Sequence, residues 1–69
     1  MNDNAKKAVL EGGPGDLSER IVPVTASGSD IKVQFRGGYE HFRMTARHQE
    51  TADGTLPVYE WWERTELPG

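Results

Sequence analysis

His41 and His48, with Glu40 and Glu50 beside them, are the side chains of this chain whose types suit a metal ion. A metal site needs such groups to converge on one point. Along an extended strand successive side chains alternate faces, so Glu40 and His41 diverge, and His48 lies an odd number of residues from His41. The set does not converge, and there is no cysteine to complete it. Nucleophilic catalysis has no better footing. Ser18, Ser27 and Ser29 lie in loop-like surroundings, with no motif that brings a base to a hydroxyl. Glu40 and Glu60 could pair for acid–base work, but that needs a pocket, and typical sites of about 300–1,000 Å³ are rare in so small a domain. The glycines of EGGPGD, residues 11–16, lack the spacing of a phosphate-binding loop. These absences predict no catalytic residues, no metal and no cofactor, and so no enzyme acting alone.

What remains is a basic and aromatic set: Tyr39, His41, Arg43, Trp61 and Trp62, with Lys32, Arg36 and Arg47 nearby. Aromatic residues and arginine anchor protein interfaces, and the same types on a sheet also bind single-stranded nucleic acid. Whether they share a face depends on the strands that carry them. In FRGGYEHF, residues 35–42, a two-residue turn at Gly37-Gly38 pairs Arg36 with Tyr39. Phe35 then opposes Glu40, Gln34 opposes His41, Val33 opposes Phe42, Lys32 opposes Arg43 and Ile31 opposes Met44. Opposed residues share a face. One face collects Ile31, Val33, Phe35, Phe42 and Met44, with Glu40 as the exception. The other collects Lys32, Gln34, Arg36, Tyr39, His41 and Arg43. A one-residue slip would mix the two sets.

A second hairpin turns within ETADGTLP, where an Asp-Gly pair and a proline mark a short loop. A two-residue Asp53-Gly54 turn puts Ala46 opposite Trp61 and Met44 opposite Glu63. A longer loop puts Met44 opposite Trp62. In either case Trp61 and Trp62 point to opposite faces. The alternation groups Trp62 with Val58 and Tyr59 with Trp61, and leaves open which set is inside. The outer indole falls near Tyr39, His41 and Arg43, where an arginine over the ring contributes about 0.5–1 kcal/mol. It could also be covered by the N-terminal segment or by a second copy of the chain.

The rest of the chain supplies the remaining strands. Lys6–Glu11 and Arg20–Thr25 read as strands, and Pro23 suits an edge position because it has no donor. Asp16-Leu17-Ser18-Glu19 has capping-box spacing, but no apolar helical period follows, so at most one turn forms there. ASGSD, residues 26–30, reads as a loop, and residues 1–5 as a disordered terminus. Ile31–Arg36, Tyr39–Arg47 and Val58–Thr65 complete the set. The expected fold is all-β: one small domain over residues 6–67, an antiparallel sheet of four to five strands, twisted or partly closed as a barrel, with no long helix.

Sixty-nine residues make one domain. Such a chain buries only about 60% of its unfolded surface, and with no cysteine no disulfide adds stability. Self-association as a homodimer, or docking on a protein partner, is the expected further term. The formal charge of −3 disfavours nucleic acid as the partner. No apolar run is long enough for a signal segment or a membrane span, and the absence of cysteine suits the cytoplasm.

The motifs LEGGP, RGGYEHF and LPVYEW, at residues 10–14, 36–42 and 56–61, resemble a family of short uncharacterised actinobacterial proteins, often encoded beside natural-product biosynthesis genes. The resemblance implies a bacterial cytoplasmic protein, an accessory to a secondary-metabolite pathway, and carries over no catalytic residue. The function expected from the residues themselves is a non-enzymatic binding module, with Tyr39, His41, Arg43, Trp61 and Trp62 as its anchors. Single-stranded nucleic-acid binding by the same face is the alternative, and small-ligand binding or resistance a third.

Overall fold

The computed structural model describes residues 6–24 and 30–67. The terminus at 1–5 and all but the last residue of the expected loop at 26–30 lie outside them. The described residues hold five strands and no helix: β1 (Lys6–Glu11), β2 (Ile21–Val24), β3 (Asp30–Phe35), β4 (Gly38–Thr51) and β5 (Gly54–Glu66). They form one open sheet in the order β2-β1-β5-β4-β3. Pro23 lies on edge strand β2, where its missing N–H breaks no inner ladder.

The all-β expectation holds, with one refinement: the sheet is mixed, because β1 pairs parallel with β5 while the other three pairings are antiparallel. Each pairing along β1-β2 and β3-β4-β5 reverses direction, and joining the two units through their first and last strands makes that contact parallel.

The two faces carry separate apolar clusters. Ala8, Leu10, Leu17, Phe42 and Tyr59 form the larger one, and Val22 and Val24 from one edge and Ile31, Val33 and Phe35 from the other pack against it. Both edges touch one core, so the sheet curls around it. Val9, Leu56 and Val58, with Ile21 against them, form a smaller cluster on the opposite face.

The first hairpin turns one residue earlier than expected. Arg36 and Gly37 occupy the turn with φ of 51° and 76°, the paired left-handed conformations of a type I′ turn. Gly38 belongs to β4 instead, opposite Phe35, and Val33 opposes Glu40 while Ile31 opposes Phe42. Steric crowding accounts for this: a Cβ on Gly38 would lie 2.6 Å from the Thr65 carbonyl oxygen and 2.8 Å from Arg64 Nη2. Every pairing moves by two positions, so the division of residues between the faces is unchanged.

The second hairpin also departs from both expected registers. Thr51 pairs with Gly54 around Ala52-Asp53. Thr51 Oγ1 accepts from the Asp53 N–H at 3.0 Å and donates to the Gly54 carbonyl at 2.8 Å. Met44 opposes Tyr59 and Trp61 opposes Phe42, because the ladder is irregular between His41 and Phe42 and again between Met44 and His48. No one-turn helix forms at Asp16–Glu19. The Leu17 N–H bonds the Pro14 carbonyl at 3.2 Å in a turn that delivers Leu17 to the core.

Candidate functional site

Tyr39, His41 and Arg43 lie at alternate positions of β4, on the face turned away from the larger core. Trp62 joins them through a bulge. His41 opposes Glu63 and Phe42 opposes Trp61, which leaves Trp62 as the extra residue of β5. Bulges re-aim side chains in this way. The Arg43 guanidinium lies 5.4 Å from the Trp62 ring centre, and the His41 ring meets the indole edge-on at 6.1 Å. On the outer strand, Lys32 Nζ lies 4.8 Å over the Tyr39 ring. Four of the five expected anchors therefore share one face, and Trp62 remains 38% exposed.

Trp61 is not among them. It packs against the larger core, and its Nε1–H donates to Glu40 Oε1 at 2.7 Å. Glycine lets the N-terminal loop cover it: a Cβ on Gly13 would lie 2.8 Å from Trp61 Cδ1, and the φ of +80° already excludes most side chains. The covering segment anticipated for the outer tryptophan thus lies over the inner one. Glu40 is buried, and its second oxygen pairs with Arg64. Arg64 also donates to the Phe35 carbonyl at 3.1 Å and the Arg36 carbonyl at 2.8 Å. Hydrogen bonds from Arg64 to Glu66 and then to Glu40 hold the guanidinium pKa above its usual value.

Two arginines escaped the sequence reading. Arg20 bonds the carbonyls of Gly12 at 2.6 Å, Pro14 at 2.8 Å and Leu17 at 2.9 Å, and so holds the EGGPGD loop to the sheet end. Arg64 does the same for the first turn. Neither belongs to a motif. Each acts on backbone carbonyls, which all residues share, so no spacing in the sequence marks them.

The His41 ring has a polar neighbour at each nitrogen. Nε2 lies 2.8 Å from Thr65 Oγ1, and Nδ1 lies 3.8 Å from Asp30 Oδ2. A hydroxyl, an imidazole and a carboxylate in that order have the sequence of a catalytic triad. The Asp30 contact exceeds hydrogen-bond length, and Thr65 sits on regular strand paired with Tyr39. Regular strand offers no pair of converging N–H donors for an oxyanion. The arrangement orients the ring beside Trp62. Glu60 opposes Arg43 and Glu63 opposes His41, so acidic groups offset the basic ones. Among the described residues no three His, Asp or Glu side chains could hold a metal ion.

No helix among the described residues is long and apolar enough to cross a membrane. No curated protein and no solved structure matches the chain. A family model does match, over residues 2–69, nearly the whole length that carries the strands and the aromatic face. The chain belongs to that family, described as a family of unknown function, DUF5988.

Proposed function

We propose that the chain is a non-enzymatic binding module that docks on a protein partner, or on a second copy of itself, through Tyr39, His41, Arg43 and Trp62. The observation that carries this reading is Trp62: a large apolar ring kept outside both cores by a bulge, flanked by an arginine and a histidine. Such groups are the usual energetic anchors of interfaces. Self-association has a second support in β3, a six-residue edge strand with neither proline nor glycine, whose outer backbone groups can pair with another strand. The resemblance to short actinobacterial proteins encoded beside natural-product genes extends the proposal to an accessory role in such a pathway, in the cytoplasm. Nucleic acid is the weaker partner, since Glu60 and Glu63 sit opposite the basic groups.

Light scattering against concentration, run on the parent, on Trp62→Ala and on Tyr39→Ala with Arg43→Ala, tests the reading. The variants should remain folded and lose dimer affinity or capture of the native partner by about tenfold or more. Unchanged assembly and unchanged capture in both variants would remove the site. Binding of a labelled single strand at low salt would favour the nucleic-acid alternative instead.

A further inference from the structure

A groove of about 580 Å³ opens at the end of the concave face, away from the aromatic set. Lys6 of β1, Val24 of β2, Met44 of β4 and Leu56, Pro57 and Tyr59 of β5 line it. It adjoins the interruption of the β4–β5 ladder between Met44 and His48. Its volume falls within the range of about 300–1,000 Å³ in which small molecules are held.

Three features of the lining point to the same kind of occupant. Met44 opposes Tyr59 beside the core, yet this apolar residue is 52% exposed. Tyr59 is 2% exposed and lines the groove, and its hydroxyl makes no hydrogen bond to any described residue. A phenol so deeply placed ordinarily has a polar partner. At the rim, Asp53 lies 3.6 Å from Lys7, and Lys6 has no carboxylate partner among the described residues. Among the described lining residues there is therefore one positive charge in excess, Lys6 and Lys7 against the single carboxylate of Asp53.

We propose that this groove binds a small amphipathic anion. Its apolar body lies along Met44, Val24 and Pro57, its charged head is taken by Lys6, and the Tyr59 hydroxyl donates to a polar atom of the ligand. The unbranched, polarisable Met44 side chain suits a flexible chain better than a fixed ring shape. The site is distinct from the aromatic face and does not depend on it.

Decanoate titrated into the full chain is the test, with decanol as the uncharged control and NMR signals of Met44, Val24 and Tyr59 as the readout. Saturable shifts at those residues are expected, with decanoate bound about tenfold tighter than decanol. Lys6→Gln should bring decanoate down to the affinity of decanol. Met44→Asp changes a side chain that is exposed in the free protein, so the fold should persist while binding is lost. Equal affinity for the two probes, shifts centred on Trp62, or no effect of Lys6→Gln would overturn the proposal. The same shifts appearing with protein concentration alone would also overturn it, because a second copy would then be the occupant.

Discussion

Glu40 sits on the core face of β4 with 2% of its surface exposed, and both carboxylate oxygens have partners, the Trp61 indole N–H and Arg64. In the alternating pattern it stands out as a charge among Val33, Phe35 and Phe42. A buried carboxylate is tolerated only when its hydrogen bonds are complete. Arg64 and Trp61 complete them, and Trp61 is thereby tied to the inner face. Removing the carboxylate leaves an indole N–H without its acceptor and a guanidinium without its counter-charge. Glu40→Ala should cost about 3 kcal/mol, while Glu40→Gln, which keeps an acceptor for Trp61, should cost less. A 69-residue domain has only about 3–10 kcal/mol of stability in total, so the alanine variant should lose about a third of it or more. Urea unfolding that puts Glu40→Ala within about 0.5 kcal/mol of the parent, the scale of an ordinary surface change, would contradict this role. The oddity of Glu40 was legible in the sequence. Its partner was not, since Arg64 lies on another strand and nothing in its neighbourhood distinguishes it from a solvated arginine.

At the level of elements, the first hairpin separates what a pattern encodes from what packing selects. Alternation assigns residues to faces and is indifferent to a shift of the pairing by two. The two adjacent glycines permitted turns at either place. Arg64 and the Thr65 carbonyl lie where a Cβ on Gly38 would be, so the second glycine is needed in the strand and the turn moves to Arg36-Gly37. Arg36 then adopts a φ of 51°, a region that costs a non-glycine residue about 1–2 kcal/mol and that asparagine enters more readily. Its ion pair with Asp16 is exposed on both sides, and such pairs contribute little. Arg36→Asn should therefore raise stability by about 0.5 kcal/mol, seen as a higher urea midpoint at unchanged slope. A lower midpoint would mean that the Asp16 contact outweighs the backbone strain. The bulge at Trp62 is the other decision made at this level. Strand alternation alone separated Trp61 from Trp62, but only the bulge turns Trp62 toward Arg43 and His41.

For the whole molecule, the stability of the curled sheet should depend on pH through a link between its halves. Glu11, at the end of β1, meets Arg47 of β4 at 2.7 Å. That hydrogen bond, with the attraction of the guanidinium, outweighs desolvation and holds the Glu11 pKa below its ordinary 4.5. The same contact raises the Arg47 pKa, so the arginine stays charged throughout. A carboxylate with a depressed folded pKa contributes stability above its unfolded pKa and loses it as the pH falls through the folded one. The parent should lose more stability than Glu11→Gln between pH 6 and pH 3, and added salt should narrow the difference. Identical losses would show that the contact is energetically silent.

Alternation and turn residues, both local, were enough to determine that the chain is all-β, which segments are strands, that Pro23 lies at an edge, and that Tyr39, His41 and Arg43 share a face opposite Phe42. These follow from the two-residue period of a strand, which each segment carries within itself. Tertiary structure alone decided the parallel contact of β1 with β5, both hairpin registers, the inward choice of Trp61 over Trp62, and the groove beside Met44. Those outcomes depend on which distant side chains compete for the same space and the same carboxylate. Gly38 with Arg64, and Glu40 with Trp61, meet only once the strands have paired.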